Sequence, residues 1–334
     1  MADVNWSHGC DQDHDRGQLF LVGALALAVT FVVLALVMNG VIYTENVSAR
    51  DLATSTAPAI EYENEAKSVA ATLVATERGD DYDELEATVA GGLSAWSNTT
   101  QPFGAVEGRL AGVEDTTGSN GTALAQDTSD RNFTSVNDAE SWTLATDVKT
   151  RDAWINATPE VSEDDIENET FADLTDDGGP FYINVTDGGG VDVTVFVYED
   201  ENSDDACVAV FDGDTYENSS CADAENIYVD LVDGTYGENS IDQSDEHGWL
   251  QVLERAGPDH TLEFGNADAS DGTYQFVVDA EDDDVESDNF GTDPDAEPYA
   301  ERALYDVEFQ IRYRSQNVRY EATVRVAPGE PTYE

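Results

Sequence analysis

Lysine is nearly missing from this chain: Lys67 and Lys149 are the only two among 334 residues, and all basic residues together number 14. Against 72 Asp and Glu they leave a formal net charge of −58. A surface so poor in cations has no electrostatic footprint for nucleic acid, which excludes that class of partner. Histidine is scarce too. His8, His14, His247 and His260 are the full set, and beyond the N-terminal pair neither His247 nor His260 stands near a serine or cysteine signature. G-x-S-x-G, H-E-x-x-H and Walker patterns are all missing. Carboxylates are so abundant that any two imitate a glycosidase pair, so such pairing carries no information. The alternation that begins Asn266, Asp268, Ser270 departs from a calcium loop, with Asp271 at the glycine position and Val277 where a bidentate glutamate belongs. His8, Cys10 and His14 lie close together near the N-terminus and read as incidental neighbours. The sequence therefore points to no enzyme, no cofactor and no metal centre.

Cysteine is limited to Cys10, Cys207 and Cys221. Trp6-Ser7-His8-Gly9 gives Cys10 none of the apolar residues that a lipid-attachment site needs upstream. Cys207 and Cys221 lie fourteen residues apart. In an oxidising compartment they are expected to bridge and staple a local hairpin or loop, the alternative being two buried free thiols.

The acidic excess alone would suggest a disordered chain. Hydrophobic residues at 40% and 31 aromatics (5 Trp, 14 Tyr, 12 Phe) argue instead for a packed core. The two fit together in a folded protein that works in very high salt. Near 1 M salt the Debye length is about 3 Å, so surface carboxylates hardly repel one another. Removing salt should then loosen the fold.

What the chain does have is one long uncharged run. Leu19–Met38 contains twenty residues without a charge. At about 1.5 Å per helical residue it spans roughly 30 Å, the thickness of a bilayer's hydrocarbon core. A secretory signal has a shorter apolar core and a small-residue cleavage site, whereas this run continues into Asn39-Gly40-Val41-Ile42-Tyr43. A retained transmembrane helix is expected. Arg16 among Asp3, Asp11, Asp13 and Asp15 gives only thin positive-inside information. Eight N-x-Ser/Thr sequons follow the run, at Asn46, Asn98, Asn120, Asn132, Asn156, Asn168, Asn184 and Asn218. With the cysteine pair they favour a single-pass protein of the cell membrane, its N-terminus cytoplasmic and its C-terminal domain extracellular. That domain, 39–334, carries 13 basic and 68 acidic residues (13 − 68 = −55).

The expected organisation is a cytoplasmic leader over 1–17, a transmembrane helix over 18–43, a helical stalk or hairpin over 44–97, a loop-rich α+β segment over 98–179 and a β-sandwich-like head over 180–334. The fold class is thus α+β, with a helical stalk leading into a β-rich antiparallel head. Tyr62, Ala66, Val69 and Leu73 repeat at helical spacing, with Pro58 expected to kink or restart that helix. Asp81 and Glu84 form a capping pair ahead of Leu85, Val89, Leu93 and Trp96. Residues 97–137 are rich in Gly, Ser, Thr and Asp and read as loop with a short strand at most, its main apolar points being Phe103, Val106 and Leu110. Strands are expected near Trp142–Val148 and Ala153–Ala157. The acidic stretch Glu160–Asp177 holds one short helix at most. Further strands are expected over Phe181–Val185, Val191–Tyr198, Ala206–Phe211, Ile227–Val232, Gly248–Glu254, His260–Phe264 and Thr273–Asp279, with solvated acidic loops at Glu199–Asp205 and Glu281–Asp295.

The last hairpin is patterned most sharply. A two-residue loop at Gln316-Asn317 sets Arg312 opposite Glu321 and Glu308 opposite Arg325, while the next tighter register would oppose Arg312 and Arg319. Arg302, Arg312, Arg314, Arg319 and Arg325 crowd this tail. They either compensate charge within the domain or meet the acidic surface of a neighbouring subunit.

Asp15-Arg16-Gly17-Gln18 immediately before the apolar run, continuing through Tyr43-Thr44-Glu45-Asn46, resembles the N-terminus of haloarchaeal type IV pilin-like proteins. Ser141-Trp142-Thr143-Leu144, Asp230-Leu231-Val232-Asp233-Gly234-Thr235, Phe264-Gly265-Asn266 and Asp271-Gly272-Thr273-Tyr274 resemble ectodomain segments of such proteins. The resemblance implies cleavage by a prepilin peptidase after Gly17. Arg16 and Gly17 would be recognition residues and Gln18 the new N-terminus. The helix would then stay in the membrane or pack with other pilin-like subunits. Val22 stands where bacterial pilins carry glutamate, and the large ectodomain fits a minor, tip or cell-anchored component better than a bulk subunit. The alternative is an uncleaved, signal-anchored extracellular binding protein that does not polymerise.

Overall fold

The computed structural model describes residues 56–106, 108–190, 192–238, 247–291 and 296–331. Arg16, Gly17, Gln18, the run Leu19–Met38 and the sequon at Asn46 lie outside them, and among the described residues no helix is long and apolar enough to cross a membrane. The chain divides into two units, Met1–Glu61 and Tyr62–Glu334. In the first, residues 56–61 are described and helical, Pro58 included. The second is mostly antiparallel β-sheet.

Helix α1 (residues 56–76) is followed by β1 (Arg78–Gly79) and helix α2 (Tyr82–Val106). Asp81 caps α2 through its Oδ1, which accepts the backbone N–H of Glu84 at 3.0 Å. Leu85, Val89 and Leu93 form its buried stripe, and Tyr62, Ala66, Ala70 and Val74 form the matching stripe of α1. The rings of Tyr62 and Trp96 lie 5.0 Å apart, and the Tyr62 hydroxyl bonds to Ser97 Oγ at 3.1 Å. Gly92 permits this approach, because a Cβ there would stand 2.8 Å from Leu73 Cδ1.

The remaining strands are β2 (Leu110–Gln126), β3 (Trp142–Val148), β4 (Thr150–Pro159), β5 (Ser162–Glu163), β6 (Phe181–Asp187), β7 (Asp192–Asp200), β8 (Ala206–Asp212), β9 (Thr215–Cys221), β10 (Ile227–Asp230), β11 (Thr235–Gly237), β12 (His260–Gly265), β13 (Ser270–Val278), β14 (Tyr299–Arg314) and β15 (Arg319–Val326). One sheet has the order β1-β14-β2-β13-β4-β10-β11, with β15 also pairing β14. The other runs β3-β12-β6-β7-β8-β9, with β5 parallel to the end of β7. Both sheets draw strands from before and after residue 180.

The core lies between the sheets. Leu124, Ile155, Val229, Tyr274 and Phe276 of the first meet Leu144, Ile183, Val195, Val208 and Phe264 of the second in one buried cluster. Period-two alternation supplies these side chains, and full burial of each contributes about 1.5–3 kcal/mol. On the outer face of the second sheet, Phe196, Tyr198 and Phe211 are covered by Ile166 and by Leu174 of α3 (Phe171–Thr175). Thus β7 is buried on both faces, which is why its sequence runs without a polar break from Val195 to Tyr198.

Two expectations are corrected. Residues 97–137 are not mainly loop: α2 continues through Pro102 to Val106, and β2 is a seventeen-residue strand inserted between β14 and β13. The helix is held past Ser97 by tertiary contact, Ser97 Oγ accepting the Val113 backbone N–H at 3.3 Å. Strand β2 is held by ladders on both edges, and Asp115, at φ 50°, takes up a bulge opposite β14. Gly248–Glu254 is not a strand. Gly248–Leu250 is a 3₁₀ turn that leads into α4 (Val252–Ala256), which ends when the Gly257 N–H bonds to Leu253 O at 3.2 Å with Gly257 at φ 79°.

Cys207 and Cys221 are joined by a disulfide, and they are direct cross-strand partners in the β8–β9 hairpin. Strand β9 is the edge of its sheet, so the bridge fixes a strand with one partner only. Closing a fourteen-residue separation contributes about 3 kcal/mol in the loop-entropy picture. Replacing both cysteines by alanine is expected to lower Tm by roughly 5–10 °C in high salt. Amide exchange should accelerate first in β9. Unchanged exchange there would show that the hairpin needs no staple.

Candidate interaction surface

The β14–β15 hairpin has the register read from its charges. Arg312 faces Glu321, Glu308 faces Arg325 and Arg314 faces Arg319, and the Ser315 N–H bonds to Val318 O at 2.8 Å around the two-residue loop. The ion pairs themselves run elsewhere. Arg312 reaches across to Glu114 of β2, and Arg319 pairs within its own strand with Glu321 at 2.8 Å. Arg325 binds Asp306 at 2.5 Å and Glu330 at 2.5 Å, and Arg302 binds Asp282 at 3.0 Å. Hydrogen bonding from Arg319, with a weaker push from Arg312, holds the Glu321 carboxyl below its ordinary value. Charge compensation within the domain thus accounts for four of the five tail arginines. Arg314 is exposed and makes no ion pair among the described residues.

At this end of the ribbon Gln101, Leu110, Gly112, Glu114, Arg312, Arg314, Arg319 and Glu321 line one groove. Arg314 and Leu110 are register partners, so the cation and the apolar side chain are strand neighbours. The last turn of α2 adjoins the groove with Phe103 73% and Val106 90% exposed, and Leu110 is 62% exposed. Single exposed apolar residues are ordinary, but three fall within eight positions here, and Leu110 among them stands beside Arg314. The α1 side of this end is fastened by Tyr320, whose hydroxyl donates to Glu63, itself paired with Lys67 at 2.6 Å.

The opposite end of the same ribbon has the reverse character. Strand β14 starts there at Tyr299 and runs sixteen residues, roughly 50 Å, to Arg314. Around its start lie exposed Asp127, Asp130, Glu160, Asp164, Asp165 and Asp204. Hydrogen bonds bring these segments together: Phe133 N to Ala267 O, Glu160 N to Ala269 O, and Glu199 N to Val161 O. Of the basic residues toward this end, Arg302 is paired with Asp282, and Arg131 turns inward and donates to the carbonyls of Asn132, Thr134 and Ser135.

Of the sequons, Asn98, Asn168 and Asn218 are exposed. Asn120, Asn132, Asn156 and Asn184 are half-buried. All four of these side chains are engaged, Asn120 donating to Glu281, Asn132 accepting from Thr134, Asn156 accepting from Asn226 and Asn184 accepting from Thr194. His260 is buried between Thr150 Oγ1 at 2.8 Å and Gly257 O at 2.8 Å, and burial lowers its pKa. No group of three or more His, Cys, Asp or Glu that could hold a metal ion occurs among the described residues.

Sequence reasoning saw both the tail arginines and the apolar points Phe103, Val106 and Leu110, but it had no means of bringing them together. Comparison with protein-family models, with curated proteins and with solved structures gives no match for this chain.

Proposed function

We propose that this protein is a pilin-like structural or adhesive component of the cell surface of a halophilic archaeon. A prepilin peptidase removes residues 1–17, and the helix that begins at Gln18 anchors or assembles the β-rich head outside the membrane. The observation that carries the reading is the Arg16-Gly17-Gln18 junction directly before twenty uncharged residues. The extreme acidity fits a surface exposed to concentrated salt, and the Cys207–Cys221 bridge fits an oxidising exterior. Cleavage frees the helix from its charged leader, so that it can pack laterally with others while the head stays hydrated.

The test is the mature N-terminus, read by mass spectrometry on protein taken from its native membrane in high salt. A dominant peptide beginning at Gln18 is expected, and Gly17→Trp should leave the leader attached. Intact peptides across Asp15–Gln18 as the dominant species would remove the pilin reading and leave a plain signal-anchored protein.

A further inference from the structure

We infer that the arginine-bearing end of the ribbon docks on the acidic end of a second copy of this chain, head to tail. The inference deepens the proposed function by naming a partner for the head, and it rests on the reading of the protein as a component that assembles.

Charge complementarity selects the occupant. The domain is acidic almost everywhere, and its exposed unpaired arginine, Arg314, sits with Arg312 and Arg319 at one end of β14. Asp127, Asp130, Glu160 and Asp164 are exposed at the other end. Glu114 and Glu321 already engage Arg312 and Arg319 within the arginine end, which leaves Arg314 as the cation available to the acidic end of another copy. Such a contact is heterologous, so each copy keeps one free donor and one free acceptor end.

High salt favours this arrangement. With a Debye length of about 3 Å, the mutual repulsion of two acidic heads is screened at long range. Arginine–carboxylate bonds act at contact distance and are geometrically specific, so they lose less. Excluded salts also strengthen burial of apolar surface, which gives Phe103, Val106 and Leu110 a role beside the arginines. A lipid surface is the competing occupant for a cationic and apolar patch, and the experiment separates the two.

Arg314→Lys keeps the charge and places a primary amine at the tip, on an exposed side chain with no ion pair among the described residues to lose. Full-length protein is assembled in high salt from a mixture of ¹⁴N- and ¹⁵N-labelled chains and treated with a zero-length carbodiimide. The expected products are mixed-isotope peptides that link position 314 of one chain to Asp127, Asp130, Glu160 or Asp164 of another. Lys67 and Lys149 serve as internal controls. In Arg319→Lys protein, which reads the same contact, adding Arg314→Glu should lower the mixed-isotope yield about tenfold, which corresponds to about 1.4 kcal/mol. Links confined to Glu114 or Glu321 of the same chain would overturn the inference, as would links spread over all carboxylates. Protection of position 314 that appears only in vesicles of anionic phospholipid would assign the tip to the membrane instead. The N-terminus of the same sample is read in parallel. Mixed-isotope links on uncleaved protein would sink prepilin processing and leave this contact standing.

Discussion

Replacing Arg151 by alanine is expected to lower the unfolding free energy by about 3–5 kcal/mol, the largest effect of any single substitution foreseen here. Arg151 is 0% exposed, although it sits on β4 of a domain whose other basic side chains lie mostly at the surface. Its Nη2 donates to Leu304 O at 2.9 Å and to Val74 O at 3.3 Å, and its Nη1 donates to Pro328 O at 3.2 Å. One guanidinium therefore joins the C-terminal turn of α1, the middle of β14 and the C-terminal tail. Arg78 reinforces the helix end, donating to Val74 O at 3.4 Å and Glu77 O at 2.9 Å. Cations are favourable at a helix C-terminus, where unpaired carbonyls and the macrodipole concentrate negative potential.

Burial pulls the pKa of Arg151 down to about 10, so it stays charged at neutral pH. Its removal would leave the Leu304 and Pro328 carbonyls short of a donor. Asp152 would lose its nearest counter-charge, and burial already raises that carboxyl's pKa. Arg151→Met fills the space but restores no donor, and Arg151→Lys keeps charge with fewer bonds, so the expected order of damage is Ala, then Met, then Lys. Thermal unfolding in high salt reads it. A loss below about 1 kcal/mol for Arg151→Ala would show that the clamp contributes little.

The sequence made the fold legible wherever local pattern and tertiary demand agree. The β14–β15 register could be read because alternation and charge both specify it. Strand β2 could not, because Gly112, Asp115, Gly118, Asn120 and Gly121 lower its β-propensity, and the ladders to β13 and β14 hold it extended. In Gly248–Glu254 the apolar residues Trp249, Leu250, Val252 and Leu253 suit a short strand as well as a helix. The deciding signal was Gly257, a C-terminal stop one residue past the end of α4. Arg151 gave no sign of its role: a lone arginine in a strand reads as a solvated edge until Val74, Leu304 and Pro328 are brought around it. The interaction surface was half visible for the same reason, since Leu110 and Arg314 are far apart in sequence and meet only as partners in the β2–β14 ladder.

Lowering the salt from about 1 M to about 0.1 M is expected to drop the Tm by more than about 10 °C and to unfold much of the head at low ionic strength. The Debye length grows from about 3 Å to about 10 Å over that range, enough for carboxylates on neighbouring strands to act on one another. Asp192 shows the strain. Burial raises its pKa first, and Asp214, Glu263 and Asp212 raise it further. Glu163 is raised by burial and then by Glu169 and Asp164.

A pH arm separates self-repulsion from loss of a specifically bound ion. Asp230 is pushed up from 3.8 to about 6 by burial, so the folded state binds its proton more tightly than the unfolded state does. Its contribution to stability is fully present below about 3.8 and lost as pH rises through about 6. Asp152, Asp279 and Glu301 are shifted in the same direction, burial first in each case. In low salt, lowering the pH from 7 towards 5 should therefore raise the Tm, whereas a protein held together by specific cation sites would lose those cations and melt earlier. Circular dichroism across a salt-by-pH grid reads both. Equal melting temperatures at 0.1 M and 1 M salt would show that the acidic surface places no demand on its solvent.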